Sequence, residues 1–242
     1  MKKEQILGFN LITYNSEELI DKIFQDYQNN EKLFIVNINP EIAVANYKNE
    51  KFKEKLNKEK YQIPDGSGIV WASKKKKGSI KERITGIDLM DKICEKSQQY
   101  SSNIYLYGGK EGIAEKAKEN LQKKYPNIKI IGTHHGYDNE EIIVDELSKL
   151  PVDILFVGLG SPKQEEFILQ NREKLKNIKI FMPVGGSFDV ISGMKKRAPK
   201  WMINCNLEWL YRTLQEPKRF FRQLKLVKFI FLVLKDKKNN SN

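Results

Sequence analysis

Metal-holding residues, long apolar runs and linker-like stretches are all scarce in this sequence. Its 242 residues include two cysteines and two histidines. Cys94 and Cys205 lie far apart without metal-ligand spacing, so neither a disulfide framework nor a zinc module is expected, and both read as small hydrophobes. There is no Asp-x-Asp pair. His134 and His135 are adjacent, and neighbours on extended backbone point to opposite faces, which makes them a poor metal pair. No residue set is therefore expected to hold a divalent ion on a nucleotide diphosphate, and no cofactor is expected. The N-terminal MKKEQILGFNLITYN has a basic start but no apolar run of about 7–15 residues and no small-residue cleavage site. It is not a secretory signal, and the chain is expected in the cytoplasm. Internal repeats and low-complexity linkers are absent, and the length suits one domain with an appendage.

Charge is plentiful but uneven. The chain carries 43 Lys and Arg against 31 Asp and Glu, a net of +12. Residues 195–242 hold 13 of the basic and 3 of the acidic residues, which leaves residues 1–194 at +2. A uniformly basic protein would suggest nucleic acid. A near-neutral body with a basic end suggests one part that docks on an anionic surface. The division expected is thus a body, 1–194, and a basic appendage, 195–242.

The body alternates short apolar runs with helix-like stretches. Leu33–Ile38, Asn103–Tyr107, Ile128–Gly132, Asp153–Val157 and Lys179–Pro183 read as strands, rich in β-branched and aromatic residues and bounded by Gly, Pro or Asn. Ile87–Gln98, Lys110–Lys124, Glu140–Leu150 and Pro162–Leu175 read as helices with one apolar stripe each. This order predicts an α/β fold, a Rossmann-like, mainly parallel sheet flanked by helices, with ligands at the carboxyl ends of the strands. The Lys74–Lys77 run reads as a solvated helix end.

The loops after those strands carry the candidate chemistry. Val157-Gly158-Leu159-Gly160-Ser161-Pro162-Lys163-Gln164-Glu165 follows a strand and opens a helix. Its glycines fit either a tight turn or a cradle where backbone amides and the helix dipole meet a phosphate. A second glycine loop, Tyr107–Gly112, is not GxGxxG, and the next strand candidate ends in Gly132-Thr133-His134 rather than an acidic residue, which weakens a dinucleotide reading. In Pro64-Asp65-Gly66-Ser67-Gly68, Asp65 reads as a helix cap or turn residue, or as a general base on a rigid turn. Asp189, in Gly185-Gly186-Ser187-Phe188-Asp189, reads as a cap or as an acceptor for a base or ribose. Tyr137 reads as a stacking partner or an ordinary buried tyrosine. With no metal expected, leaving-group charge falls to Arg, Lys and helix termini.

From Glu216 onward the sequence is basic and amphipathic. On a helical wheel Phe220, Leu224, Val227, Phe231 and Leu234 fall in one sector, with Lys218, Arg219, Arg222, Lys225, Lys228 and Lys235 opposite. The apolar run is shorter than the roughly 20 residues that span a bilayer. The segment is expected to lie on an anionic membrane surface, or to pack its apolar face on the body.

Taken in order, PDGSGIV, ERITGIDLM, IYLYGGKEGIAEKA, GTHHGY, DILFVGLGSPKQE, VGGSFDVISGMKKRAPKW and LEWLYRTLQEPKRFFR resemble the WecG/TagA/CpsF glycosyltransferases over residues 7–225, with the TagA-like N-acetylmannosaminyltransferases of teichoic acid synthesis the nearest branch. The resemblance implies transfer of N-acetylmannosamine or a related sugar from a UDP-sugar donor to a polyprenyl-diphosphate-linked acceptor, without a metal, at the inner face of the cell membrane. It makes Asp65 the base for inverting attack. Arg83 and Gln164, with Gly158, Gly160 and Lys163, would line the sugar and diphosphate pocket. Tyr137 and Asp189 would hold the uridine. Arg212, Arg219 and Arg222 would close over the diphosphate. Asn39 matches the pattern and is a further substrate contact. Asn37 departs from it: members commonly have Thr there, and an amide both donates and accepts.

Three other readings stay in play: the same family with ManNAc uronic acid or a hexose as the sugar, a non-catalytic basic module for membrane or nucleic acid, and a nucleotide-dependent oxidoreductase. No nucleic acid is expected as partner. A homo-oligomer is left open.

Overall fold

A computed structural model describes residues 2–215 and 220–239, except the side chains of 220–223 and 237–239. Two short strands, β1 (Lys3–Ile6) and β2 (Phe9–Ile12), form an antiparallel hairpin turned at Leu7 and Gly8, both with positive φ. Six parallel strands follow: β3 (Leu33–Ile38), β4 (Tyr61–Pro64), β5 (Asn103–Gly108), β6 (Lys129–His134), β7 (Ile154–Gly158) and β8 (Ile180–Pro183). Their order across the sheet is β4-β3-β8-β7-β5-β6.

Alternation along the strands sorts the core into two layers. Ile35, Ile104, Leu106, Ile154 and Phe156 face one cluster, covered by helices Ser16–Gln28, Gly86–Ser97 and Ile113–Lys124. Phe34, Val36, Tyr105, Tyr107, Leu155 and Val157 face the other, covered by the hairpin and by helices Pro40–Ala45, Ser67–Lys75, Glu140–Lys149 and Lys163–Asn171. Both faces are thus covered over the inner strands, as a parallel sheet requires, while the edge strand β6 keeps Lys129 and Ile131 exposed. All five strand readings fall on real strands. The sequence reading missed β1, β2 and β4: each has four residues, and β4 (Tyr-Gln-Ile-Pro) ends in the residue that normally argues against a strand.

The C-terminal helix, Phe220–Asn239, lies against helices Pro40–Ala45 and Ser67–Lys75. Phe229 and Val233 are fully buried and Leu232 nearly so, all in the second core cluster. Gly68 permits this approach, because a Cβ there would meet Pro40 at 2.7 Å and Leu226 at 3.3 Å. The wheel sector singled out from the sequence is not the packed face: Leu224, Val227, Phe231 and Leu234 are exposed. Among the described residues no helix is long and apolar enough to cross a membrane. Lys74 and Lys75 end helix Ser67–Lys75 as expected, and Lys76 pairs with Asp236 at 2.8 Å.

Candidate active site

Strand β3 continues outward to β4, whereas its other neighbour β8 belongs to the half of the sheet built from β7 and β5. The chain therefore diverges on either side of the β3–β8 pair, and such a switch point leaves a crevice at the carboxyl ends. A cleft of about 510 Å³ opens there. It is floored by the ends of β3, β4 and β8 and roofed by residues of helices Glu208–Gln215 and Phe220–Asn239. A shallower polar cleft of about 590 Å³ lies among Asn30, Lys32, Asn103, Asp153 and Lys179, where strands begin; ligands of parallel sheets gather at the other end.

Asp65 follows β4 and lines the cleft. Its N–H donates to the Ile38 carbonyl at 3.0 Å, and the Pro64 carbonyl accepts from Ile84 at 3.1 Å, so the turn is held on both sides. Helix Ser67–Lys75 is capped by Gly66 at φ +92°, with no side-chain hydrogen bond. Asp65 is thus not the helix cap. Withdrawal from water pushes its carboxyl up to about 6, against the pull of the Arg212 and Arg83 guanidiniums; Glu208 adds to the rise, and a bond from the Gly86 backbone opposes it. A carboxylate poised near neutrality is suited to take a proton.

Arg83 and Arg212 approach the cleft from opposite sides and meet on one carboxylate. Arg83 Nη2 donates to Glu208 Oε2 at 3.1 Å, and Arg212 Nε lies 3.6 Å from Glu208 Oε1. Glu208 is buried and lines the same cleft.

Gln164 is buried in the opposite wall. Its carbonyl oxygen accepts from the Gly185 N–H at 3.0 Å, and its amide donates to Glu165 Oε1 at 2.9 Å. Gly160, at φ +77°, also lines the cleft. Gly158 does not: a Cβ there would meet the Phe188 ring at 2.8 Å, so its role is close packing between loops. Lys163 is exposed and begins helix Lys163–Asn171, with Pro162 as the preceding cap residue rather than the first helical one.

Asn37 and Asn39 both line the cleft. Asn37 Nδ2 donates to the Pro183 carbonyl at 2.9 Å, linking β3 to the end of β8, while its Oδ1 is buried without a partner. The amide packs where a Cβ on residue 86 would stand, 2.8 Å away, so Gly86 is needed beside it. Asn39 caps helix Pro40–Ala45 by accepting from Ile42 at 2.9 Å.

Tyr137 and Asp189 stand outside this cleft. Tyr137 is 73% exposed, neither stacked on a core residue nor buried. Asp189 lines a small adjoining hollow that shares Gly186 and Arg212 with the main cleft, and it pairs with Lys195 at 2.6 Å. His134, His135 and Asp138 converge, with ligand atoms within 4.8 Å of one another. Strand alternation does not separate the two imidazoles because β6 ends at His134 and the chain then turns. None of the three lines the cleft. Arg219 and the side chain of Arg222 lie outside the described residues.

Seven expected residues therefore meet in one place: Asn37, Asn39, Asp65, Arg83, Gly160, Gln164 and Arg212. Sequence reasoning missed Glu208. A lone Glu beside Trp in LEWLYR looks like any first-turn acidic residue; only its burial reveals it. Two guanidiniums, a raised carboxyl and glycine-bounded loops at a switch point give the cleft the chemistry to meet an anionic ligand.

The model of the glycosyl transferase WecG/TagA/CpsF family matches residues 4–242. The chain belongs to this family. A Bacillus subtilis (strain 168) protein named N-acetylglucosaminyldiphosphoundecaprenol N-acetyl-beta-D-mannosaminyltransferase is 34% identical over 241 residues, covering 99% of this chain and 94% of the relative. A Staphylococcus aureus (strain MRSA252) protein of the same name is 35% identical over 240 residues, covering 98% and 94%. In this WecG/TagA/CpsF glycosyltransferase the seven converging residues line a single cleft.

Proposed function

We propose that this glycosyltransferase moves N-acetylmannosamine from UDP to N-acetylglucosaminyl-diphospho-undecaprenol, with inversion, in teichoic acid or related surface polysaccharide synthesis. The observation that carries the reading is Asp65, a carboxyl near pKa 6 on a pinned turn beside two arginines. The names of the two relatives support the donor sugar and the acceptor. Asp65 takes the proton from the acceptor sugar hydroxyl as its oxygen bonds to the anomeric carbon. The bond from that carbon to the phosphate oxygen breaks, and UDP leaves with the electron pair. Arg83 and Arg212 meet the charge that develops on the diphosphate. Transfer on this account needs no divalent ion, since guanidiniums supply the positive charge at the cleft. Gln164 and Gly160 form the wall against the donor, and Asp189, in the adjoining hollow, is the residue proposed to hold the uridine, with the exposed Tyr137 as a further candidate.

The exposed stripe Leu224, Val227, Phe231 and Leu234, flanked by Lys225, Lys228 and Lys235, supports docking of the C-terminal helix on an anionic membrane, where the polyprenyl acceptor resides. Trp201, Trp209 and Leu214 add exposed apolar surface on the neighbouring helices.

The test is UDP release from UDP-N-acetylmannosamine with a short-chain lipid-diphosphate N-acetylglucosamine, in EDTA, for the native chain and Asp65→Asn. Acceptor-dependent release that survives EDTA and collapses in the variant is expected. Full activity in Asp65→Asn would return that residue to a structural role. A different UDP-sugar is the second reading, favoured by the unpartnered Asn37 Oδ1, and a donor panel decides it.

A further inference from the structure

Glu208 is an unusual group to find in a cleft for anions. It is 6% exposed and carries a charge of the same sign as the diphosphate that the cleft is built to receive. Burying a carboxylate is costly unless its oxygens are matched, and here each oxygen faces a different guanidinium: Arg83 from the body and Arg212 from its own helix, one turn on. A guanidinium has five N–H donors; Arg83 spends one on Glu208 and Arg212 stands beside the carboxylate as an ion pair, so both keep donors to spare for a ligand. The carboxylate fixes where these cations stand without using them up.

The charge balance around Asp65 follows from this arrangement. Arg83 and Arg212 contribute two positive charges, Glu208 and ionised Asp65 two negative ones. Glu41 and Lys225, from helices Pro40–Ala45 and Phe220–Asn239, also line the cleft and offset each other. Glu208 holds both guanidiniums at its own oxygens; without it Arg212 and Arg83, which already act on Asp65 and in the case of Arg83 on Asp88 too, would bear on Asp65 uncompensated and hold it ionised. A carboxylate so held is a poor proton acceptor.

We infer that Glu208 is a positioning residue for the transfer: it clamps Arg83 and Arg212 at the mouth of the cleft and keeps them from quenching Asp65 as a base. The body and the C-terminal segment are thereby joined at the point of chemistry, since Arg83 belongs to one and Glu208 to the other. The pKa of Asp65 is consistent with this, Glu208 being among the influences that raise it. The inference rests on the assignment of Asp65 as the base, and the experiment separates the two.

The experiment is a carbon-13 NMR titration of the Asp65 carboxyl, assigned by its loss in Asp65→Asn, in the full chain and in Glu208→Gln. The pH profile of kcat/KM for the donor is measured alongside. In Glu208→Gln the titration midpoint is expected to fall by roughly one pH unit, the size of a nearby charge effect, and the acid limb of kcat/KM to fall with it. Glu208→Asp, which keeps the charge, should restore most of the native midpoint. An unchanged midpoint in a folded Glu208→Gln overturns the inference. A midpoint that falls while the acid limb stays put upholds the hold of Glu208 on Asp65 and removes Asp65 from the role of base. Should Glu208→Gln fail to fold, Arg83→Gln removes a cation from the same cluster, and the midpoint must then rise; a midpoint that stays put there also overturns the inference.

Discussion

Asp65 on its turn, Asn37 near the end of β3 and Gln164 in the first turn of helix Lys163–Asn171 are pinned by bonds between parallel strands and their loops, whereas Glu208 and Arg212 stand on an eight-residue helix that the Arg83–Glu208 pair ties to the body at the cleft. The first half of the cleft is positioned by the folding of the sheet. The second is positioned by a charge pair and by the packing of helix Phe220–Asn239. A group on the sheet tolerates burial that would unsettle a looser element, and any shift of the appendage would reach Asp65 through Glu208 and the two arginines. Function here divides along the line between rigid and adjustable parts.

The largest effect should come from the rigid half. Asp65→Asn is expected to lower kcat by about 10²–10⁴-fold, the usual contribution of a positioned base. Its effect on stability should have the opposite sign. Because the folded-state pKa of Asp65 is raised to about 6, the folded protein binds more protons than the unfolded chain between the two pKa values. Stability therefore falls as pH rises through that window, and the full cost persists above it. Asparagine removes the cost, so at pH 7–8 the variant should be more stable by about 1–3 kcal/mol, read as a higher Tm. Loss of activity together with loss of stability would contradict the assigned environment.

The adjustable half can be broken in two independent ways, because its helix has two faces. Phe229→Ala empties a fully buried site shared with the body and should cost about 3–5 kcal/mol, seen in denaturant melts. Phe231→Ala, two residues and so roughly half a turn away on the exposed stripe, should leave the melt unchanged. Replacing Leu224, Val227, Phe231 and Leu234 together by serine should instead lower affinity for anionic vesicles by about 100-fold or more, since each side chain buried in lipid contributes about 1.5–3 kcal/mol at most. Soluble short-chain acceptors should still be used. Equal vesicle binding before and after would place the membrane contact elsewhere. Truncation after Gln215 removes both faces at once, and is therefore expected to destabilise the body as well as to abolish transfer.

Much of this architecture was legible from residue order. Five strands announced themselves as apolar runs because a parallel sheet buries both faces, and the glycine-bounded loops after them marked the carboxyl edge. Asp65 was legible from its own residues only as an ambiguity between cap and base, which the resemblance tipped toward the base, and the Gly66 cap removes the cap reading. Of the two readings of the C-terminal helix, an apolar sector left for a membrane or one packed on the body, the exposed sector excludes the second. The face that does pack, Phe229 and Val233, went unread because Gly68 and Pro40 decide where a helix can approach. Glu208 could not be read at all: its role depends on Arg83, 125 positions away in sequence. The resemblance to known glycosyltransferases supplied roles for single residues that composition could not.

The smallest expected effect sits at Asn37, and it bears on specificity. Its Nδ2 is committed to the Pro183 carbonyl, and its Oδ1 is a buried acceptor on the cleft wall with no partner. Such an atom gains most by meeting a donor group, and the acetamido N–H and the hydroxyls of a sugar are the donors a UDP-sugar brings. Asn37→Thr keeps a donor for Pro183 but withdraws the forward-reaching carbonyl. One hydrogen bond of about 0.5–1.5 kcal/mol corresponds to a rise in KM for the preferred donor of roughly 2–10-fold, with kcat little changed. Asn37→Ala should do worse, because it also leaves the Pro183 carbonyl unpaired. The informative comparison is between donors: a KM rise for an N-acetylated sugar that is absent for its hexose analogue would place the acetamido group against Asn37, and an equal rise for both would place a ring hydroxyl there. No change with any donor would mean that the Oδ1 faces the acceptor instead, and the same titration with acceptor varied would then show it.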